Sequence, residues 1–137
     1  MKGMNWKVIA HWAVTALFAG LMLLSASMYL SGSATIRDAI THLGYPGYLL
    51  SILGTAKLFG AIALMQNRLP TLREWAYAGF AINLIGATVS HLFAGDPLSV
   101  ALVPAMFLLP LSVSYLLRPE RRADAAGHFG RTAPVAA

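Results

Sequence analysis

Long apolar stretches alternate with short polar ones along this chain. The apolar stretches run over about 8–30, 48–65, 75–93 and 98–117. A helix needs about 20 apolar residues to cross a hydrocarbon core about 30 Å thick, and all four stretches reach that length or nearly so. None of them shows the alternation of apolar and polar residues that is typical of a β-strand. The pattern predicts an all-α integral membrane protein, a bundle of four transmembrane helices within residues 1–118, followed by a flexible cytoplasmic tail at 119–137.

Composition agrees with this class. Of the 137 residues, 58% are hydrophobic and only 11% are charged, which is far from the balance of a soluble protein.

The first apolar stretch continues from Val8 to Leu30, longer than the core of a secretory signal, so a retained helix is favoured over a cleaved signal. The chain has no cysteine, which excludes disulfides, a CxxC redox centre and thiolate metal ligands. Any electron transfer would therefore need a bound cofactor or a partner subunit.

The basic residues predict the orientation, because they gather on one side when the four helices alternate across the membrane. On that side fall Lys2, Lys7, Arg68, Arg73, Arg118, Arg121, Arg122 and Arg131. Arg37 alone falls on the other. Both termini are expected in the cytoplasm, with the protein a multi-pass component of a bacterial inner membrane. Basic loops on the cytoplasmic side, in contact with anionic lipid headgroups, account for the net charge of +5. The expected partner is therefore the lipid bilayer and not a nucleic acid.

Lys57 is the most informative single residue. It lies near the middle of the second apolar stretch, and no acidic residue lies inside any of the four stretches. A charged side chain at bilayer depth costs roughly 3 kcal/mol on insertion scales, so such residues usually line a site or a water-filled cavity. Lys57 follows Tyr48 by nine residues, and Asn83 precedes Phe93 by ten. At about 1.5 Å per residue, the backbones of Lys57 and Asn83 are both expected about 14–15 Å below the outer surface of the membrane.

Side-chain direction brings further polar groups toward Lys57. A helical side chain leans toward the N-terminus of its own helix, so Lys57 leans outward while His91 and Tyr29 lean inward. These three head groups are expected to converge in the outer half of the bundle. A polar stripe along the third helix is expected to face protein and not lipid. The stripe consists of Gly79, Asn83, Gly86, Ser90 and, within one position, His91.

Proline supplies a possible backbone acceptor in the same region. Pro110 has no N–H, so the carbonyl of Met106 lacks its usual helical partner and is open to Lys57, to water or to a ligand. Two interpretations of Lys57 follow. In one it bonds Asn83, Ser90 and this carbonyl to hold the helices in register, and in the other it faces a ligand or handles a proton.

The remaining histidines carry no predicted chemistry. His11 and His42 lie nearer the interfaces and are interpreted as anchors, and His128 as a solvated residue of the tail. No two histidines or carboxylates stand at i, i+3 or i+4 on one helix, so no metal site is predicted.

Two strings carry a resemblance to a known family. They are HLGYPGYLLSILGTAKLFGAIAL at 42–64 and REWAYAGFAINLIGATVSHLFAGD at 73–96. Their GYP turn, the lysine between two glycines, the EWAYAGF segment and the SH…GD exit stand in the order of the DoxX-like family of small bacterial membrane proteins, which the chain resembles over 42–117 and more weakly in the first helix. The motif positions are Tyr45, Pro46, Lys57, Trp75, Gly79, Ser90, His91 and Asp96.

The resemblance implies four transmembrane helices and a wider DoxX group, some of whose members are similar to subunits of a thiosulfate:quinone oxidoreductase or of other membrane oxidoreductase complexes. Two hypotheses follow. The first is a binding protein or small oxidoreductase subunit whose outer pocket holds a quinone-like molecule, with no other cofactor in the chain. Its ligand-binding residues would be Lys57, His91, Asn83, Tyr29, Ser90 and Tyr45. The second is a structural subunit that holds no ligand and packs against a partner membrane protein or a second copy.

A proton-coupled carrier is less favoured, because the chain shows none of the internal repeats usual in transporters. An autonomous enzyme has the least support. The sequence shows no nucleophile beside a base, no paired carboxylates and no glycine loop that could hold a phosphate.

Overall fold

The structure is a computed structural model, and it describes residues 5–119. Every regular element in that range is helical. The helices are α1 Trp6–Leu30, α2 Ala34–His42, α3 Leu49–Met65, α4 Pro70–Phe93, α5 Leu98–Met106 and α6 Leu108–Leu116. The predicted tail at 119–137 lies, except for its first residue, outside the described part of the chain.

Three helical segments of the described chain are long and apolar enough to cross a membrane: Trp6–Leu30, Pro70–Phe93 and Leu98–Leu116. The segment Leu49–Met65 is also apolar but has only 17 residues. Large apolar side chains such as Phe59 and Phe93 point away from the protein, as they do in a protein whose solvent is lipid. The chain is therefore an all-helical, multi-pass membrane protein.

The four long apolar segments close into a ring. Helix α1 packs on α3 and α6, and α4 packs on α3, α5 and α6. In the shared core, the rings of Phe18 and Phe80 meet edge to face with their centroids 5.2 Å apart. The ring has two ends. We call the end that carries α2 the α2 end, and the opposite end, with Lys7, Arg68, Arg73 and Arg118, the basic end.

The helix boundaries differ from the predicted ones in three places. The helix predicted at 75–93 begins five residues earlier, at Pro70, a residue suited to the first helical turn. The helix predicted at 98–117 is interrupted at Phe107, where Pro110 cannot donate to the Met106 carbonyl. The stretch predicted as a connection between Ser31 and Gly47 contains α2, a short polar helix that buries only Ile40.

A chain of buried hydroxyl groups joins the helices near the basic end. The Thr15 hydroxyl donates to the His11 carbonyl at 2.6 Å, so it must accept from Ser114, whose Oγ is 2.5 Å away. Ser114 in turn accepts from the Tyr77 hydroxyl at 2.7 Å. His11 Nδ1 donates to the Ser114 carbonyl at 2.9 Å. His11 is thus fully buried between α1 and α6, and its interpretation as an interfacial anchor is wrong.

Two arginines of the basic end are also part of the packing. Arg73 is 1% exposed and donates to the carbonyl of Gln66 and to the side chain of Asn67. Arg118 is 4% exposed and pairs with Glu74. Contacts within the protein therefore hold both arginines at this end of the bundle.

Candidate functional site

A cavity of about 590 Å³ lies between α1, α3, α4 and α5 in the half of the bundle nearer α2. Ala39, Ile40 and Leu43 of the α2 region form part of its wall, and most of the rest is apolar. The cavity also contains every side chain that the sequence analysis proposed for ligand binding. These are Tyr29, Tyr45, Lys57, Asn83, Ser90 and His91. Residues from four separate segments therefore face one space.

Lys57 projects from α3 toward α1. Its Nζ atom donates to Ser25 Oγ at 2.9 Å and lies 4.1 Å from the centroid of the Tyr29 ring, a cation–π geometry. Within residues 5–119 no carboxylate pairs with it. The predicted packing partners Asn83, Ser90 and the Met106 carbonyl do not bond Lys57 in the structure.

Ser25 was missed by the sequence analysis, although a signal for it exists. It precedes Tyr29 by four residues on α1, so the two side chains share one face of that helix. Since Tyr29 was predicted to point toward Lys57, Ser25, one helical turn before it, could have been predicted to do the same.

A close approach of α1 and α3 presents Tyr29 to Lys57. Gly54 lies three residues before Lys57 on α3, and a Cβ atom added there would come within 3.0 Å of Tyr29 Cβ and 2.8 Å of Leu30 Cγ. Real Cβ atoms essentially never approach so closely. Only the hydrogen of glycine lets the two helices meet at this level.

Four of the five residues of the polar stripe on α4 line the cavity, whereas Gly79 lies in a groove on the outside of the bundle. Ser90 donates to the Gly86 carbonyl at 2.8 Å, so it accepts from the Tyr45 hydroxyl at 2.7 Å. Tyr45 lies between α2 and α3 and is 42% exposed, which places it at the mouth of the cavity. The half-buried amide of Asn83 has no hydrogen-bond partner among the described residues. It is free to bond a ligand or water.

His91 and His42 both bond the carboxylate of Asp96. The distance from His91 Nδ1 to Asp96 Oδ2 is 2.6 Å, and that from His42 Nε2 to Asp96 Oδ1 is 2.7 Å. These hydrogen bonds, that of His91 foremost, lower the pKa of the Asp96 carboxyl, so it is ionised at neutral pH. The interpretation of His42 as a simple anchor is incomplete, because it ties α2 to the turn between α4 and α5.

The turn after α4 explains how Asp96 reaches His91. Gly95 has a φ of +78°, in the left-handed region that favours glycine. The chain therefore folds back, and the Asp96 N–H donates to the His91 carbonyl at 3.1 Å. The same reversal carries the Asp96 carboxylate to the imidazole of His91. The residues of the SH…GD string thus form one local structure, in which the turn at Gly95 lets Asp96 bond His91 at the end of α4.

A groove of about 450 Å³ runs along the outside of α3 and α4 beside the cavity. Lys57 and Asn83 line both spaces. The groove is otherwise apolar and carries Trp75 and Gly79, two positions that the family resemblance singled out. Within residues 5–119 no group of three histidine or acidic side chains is arranged to hold a metal ion.

The arrangement is that of a membrane protein with an apolar intramembrane cavity and a few converging polar groups. The family model of the DoxX-like family matches residues 13–114, which include most of α1 and every later helix but the last residues of α6. The chain therefore belongs to the DoxX-like family. Neither a curated protein nor a solved structure matches the chain.

Proposed function

We propose that this protein binds a hydrophobic small molecule with a polar head, such as a quinone, in the cavity around Lys57. It would act alone or as a small subunit of a membrane oxidoreductase system in the bacterial inner membrane. The observation that carries the proposal is that seven polar side chains, the six predicted ones and Ser25, line one largely apolar cavity. Pockets for small molecules generally combine an apolar lining with a few placed polar groups, in volumes of about 300–1,000 Å³.

The polar groups suit the oxygens of such a head group. The Lys57 amine has at least two N–H bonds, and its one hydrogen bond within the described chain, to Ser25, leaves a donor for a ligand. Asn83 lies on the opposing helix with its amide unpartnered and can donate to a second oxygen. A buried polar group without a partner costs about 1–3 kcal/mol, and a ligand or a water molecule would relieve that cost.

A route for the ligand also favours a lipid-soluble molecule. The groove along α3 and α4 shares Lys57 and Asn83 with the cavity, so movement of these two side chains would join the two spaces. A molecule dissolved in the bilayer could reach the polar groups from the side without passing through water. A polar ligand would gain nothing from such a path.

The proposal includes four membrane crossings, with α3 as the second. Helix α3 lies in the ring between α1 and α4, both of which are long enough to cross. A helix of 17 residues is at the short end of the range for a span. Lys7, Arg68, Arg73 and Arg118 lie at the basic end and Arg37 at the other. This excess favours a cytoplasmic basic end, which would place the cavity in the outer half of the membrane.

The test is mass spectrometry of small molecules extracted from gently purified protein. The variants are Lys57→Met, which keeps an unbranched side chain of similar length, and Lys7→Met as a matched control outside the cavity. We expect a quinone or similar lipid in the wild type and in Lys7→Met, and its loss in Lys57→Met with folding intact. Equal retention in all three proteins would reject the assignment of Lys57. No retained molecule in any of them would favour the structural-subunit hypothesis.

A further inference from the structure

The hydrogen bonds around Asp96 carry an inference about His91. A carboxylate has only acceptor oxygens, and each oxygen of Asp96 bonds one ring nitrogen. Both nitrogens must therefore carry their hydrogen. For a neutral His91 this means that Nδ1 is the protonated nitrogen and Nε2 holds the lone pair.

We propose that Asp96 is a positioning residue that fixes His91 in its Nδ1–H tautomer, so that Nε2 accepts a hydrogen bond from a hydroxyl group on the ligand in the cavity. The proposal rests on the proposed function and deepens it, because it specifies the chemistry of the head group. A phenol or a hydroquinone has the required O–H. A head group that carries only carbonyl or ether oxygens, such as an oxidised quinone, can accept from Lys57 and Asn83 but lacks the hydrogen bond to Nε2, so it should bind more weakly.

Burial supports this arrangement. The side chain of His91 is 20% exposed and that of Asp96 is 14% exposed, so both are largely shielded from water that would compete for their hydrogen bonds. His91 lines the cavity. Its Nδ1 is occupied by Asp96, so Nε2 is the ring atom left to meet a ligand.

His42 completes the arrangement from the other side of the carboxylate. Its side chain is 56% exposed and it belongs to α2, which forms part of the cavity wall. By donating to Asp96 Oδ1 it adds a second donor that favours the ionised carboxylate. The ionised form is the one that keeps the hydrogen on His91 Nδ1.

The complete set of groups gives the cavity two complementary polar positions. Lys57 and Asn83 supply donors on α3 and α4, and His91 supplies an acceptor near the α2 end. If a ligand hydroxyl transfers its proton to Nε2, the ligand O–H bond breaks, an N–H bond forms, and the electron pair stays on the ligand oxygen, which becomes an anion. The resulting imidazolium would be stabilised by the negative charge of Asp96. No electron is transferred in this step.

The tautomer can be tested without a ligand. Nitrogen-15 NMR of the histidine side chains, recorded at mildly alkaline pH and assigned by comparison with His91→Gln, distinguishes an Nδ1–H ring from an Nε2–H ring. We expect Nδ1–H in the wild type and in the control Asp38→Asn, which changes an exposed carboxyl group of α2. In Asp96→Asn the amide can donate to Nδ1 instead, so the Nε2–H form should appear. A wild-type ring in the Nε2–H form would overturn the proposal.

The ligand preference is tested with two redox-inert probes, 4-decylphenol and its methyl ether 4-decylanisole. We expect the wild type and Asp38→Asn to bind the phenol at least about tenfold more tightly, since only the phenol can donate to Nε2. In Asp96→Asn that preference should largely disappear. An equal preference in wild type and Asp96→Asn would refute the role of Asp96 while leaving the proposed function intact. If neither probe binds saturably, the ligand half of the proposal fails together with the proposed function.

Discussion

Replacing Gly54 with alanine should separate α1 from α3 at the level of the cavity. The new Cβ atom would lie 2.8 Å from Leu30 Cγ and 3.0 Å from Tyr29 Cβ. The end of the Leu30 side chain can move, but Tyr29 Cβ is attached directly to the backbone, so the helices must shift. Overpacking of this kind costs about 1–3 kcal/mol. The displacement would also move the Tyr29 ring away from Lys57, where their contact is 4.1 Å from ring centroid to Nζ.

The matched control is Gly20→Ala on α1, because a Cβ atom there meets nothing within 4 Å. Both substitutions gain about 1 kcal/mol of helix propensity, so their difference isolates the effect of the contact between α1 and α3. Unfolding by SDS titration in mixed micelles should show Gly54→Ala less stable than Gly20→Ala by about 1–3 kcal/mol. Ligand retention should fall only in Gly54→Ala. Equal stability of the two variants would refute the argument that only glycine fits between the helices.

Two further predictions concern the basic end and the topology. Ser114→Ala should cost about 1–3 kcal/mol in the same titration, because the buried Tyr77 hydroxyl loses its acceptor, whereas the exposed Ser112→Ala on the same helix should be near neutral. An unchanged Ser114→Ala would contradict the hydroxyl chain. The absence of native cysteine allows the second test, in which Ser31→Cys should react with a membrane-impermeant maleimide in intact cells and Thr71→Cys only after permeabilisation. The reverse pattern would invert the proposed orientation.

The convergence of groups around the cavity could be predicted because helical geometry is regular. A rise of about 1.5 Å per residue places Lys57 and Asn83 at one level, and the lean of helical side chains brings Tyr29 to Lys57. His91 lines the same cavity, but its ring bonds Asp96 beyond the end of α4. The cavity contains all four. Their role in binding a ligand stays a prediction.

The contacts that orient these groups could not be predicted in the same way. Asp96 bonds His42, which is 54 positions away in the sequence, and a local pattern of residues cannot predict such a pairing. The helix α2 was missed because its residues are largely polar and only Ile40 is buried. His11 resembles an interfacial residue by its position near the start of α1, yet packing against Ser114 buries it completely.

The central claim is that Lys57 lies in a cavity that holds a lipid-like molecule. The most direct measurement is a titration of purified, delipidated protein with decylubiquinone, followed by equilibrium binding in detergent. We expect saturation at about one molecule per chain, with affinity at least about tenfold lower in Lys57→Met, which loses a hydrogen-bond donor to the ligand. Saturable binding of equal affinity in both proteins, or no saturable binding in the wild type, would contradict the claim.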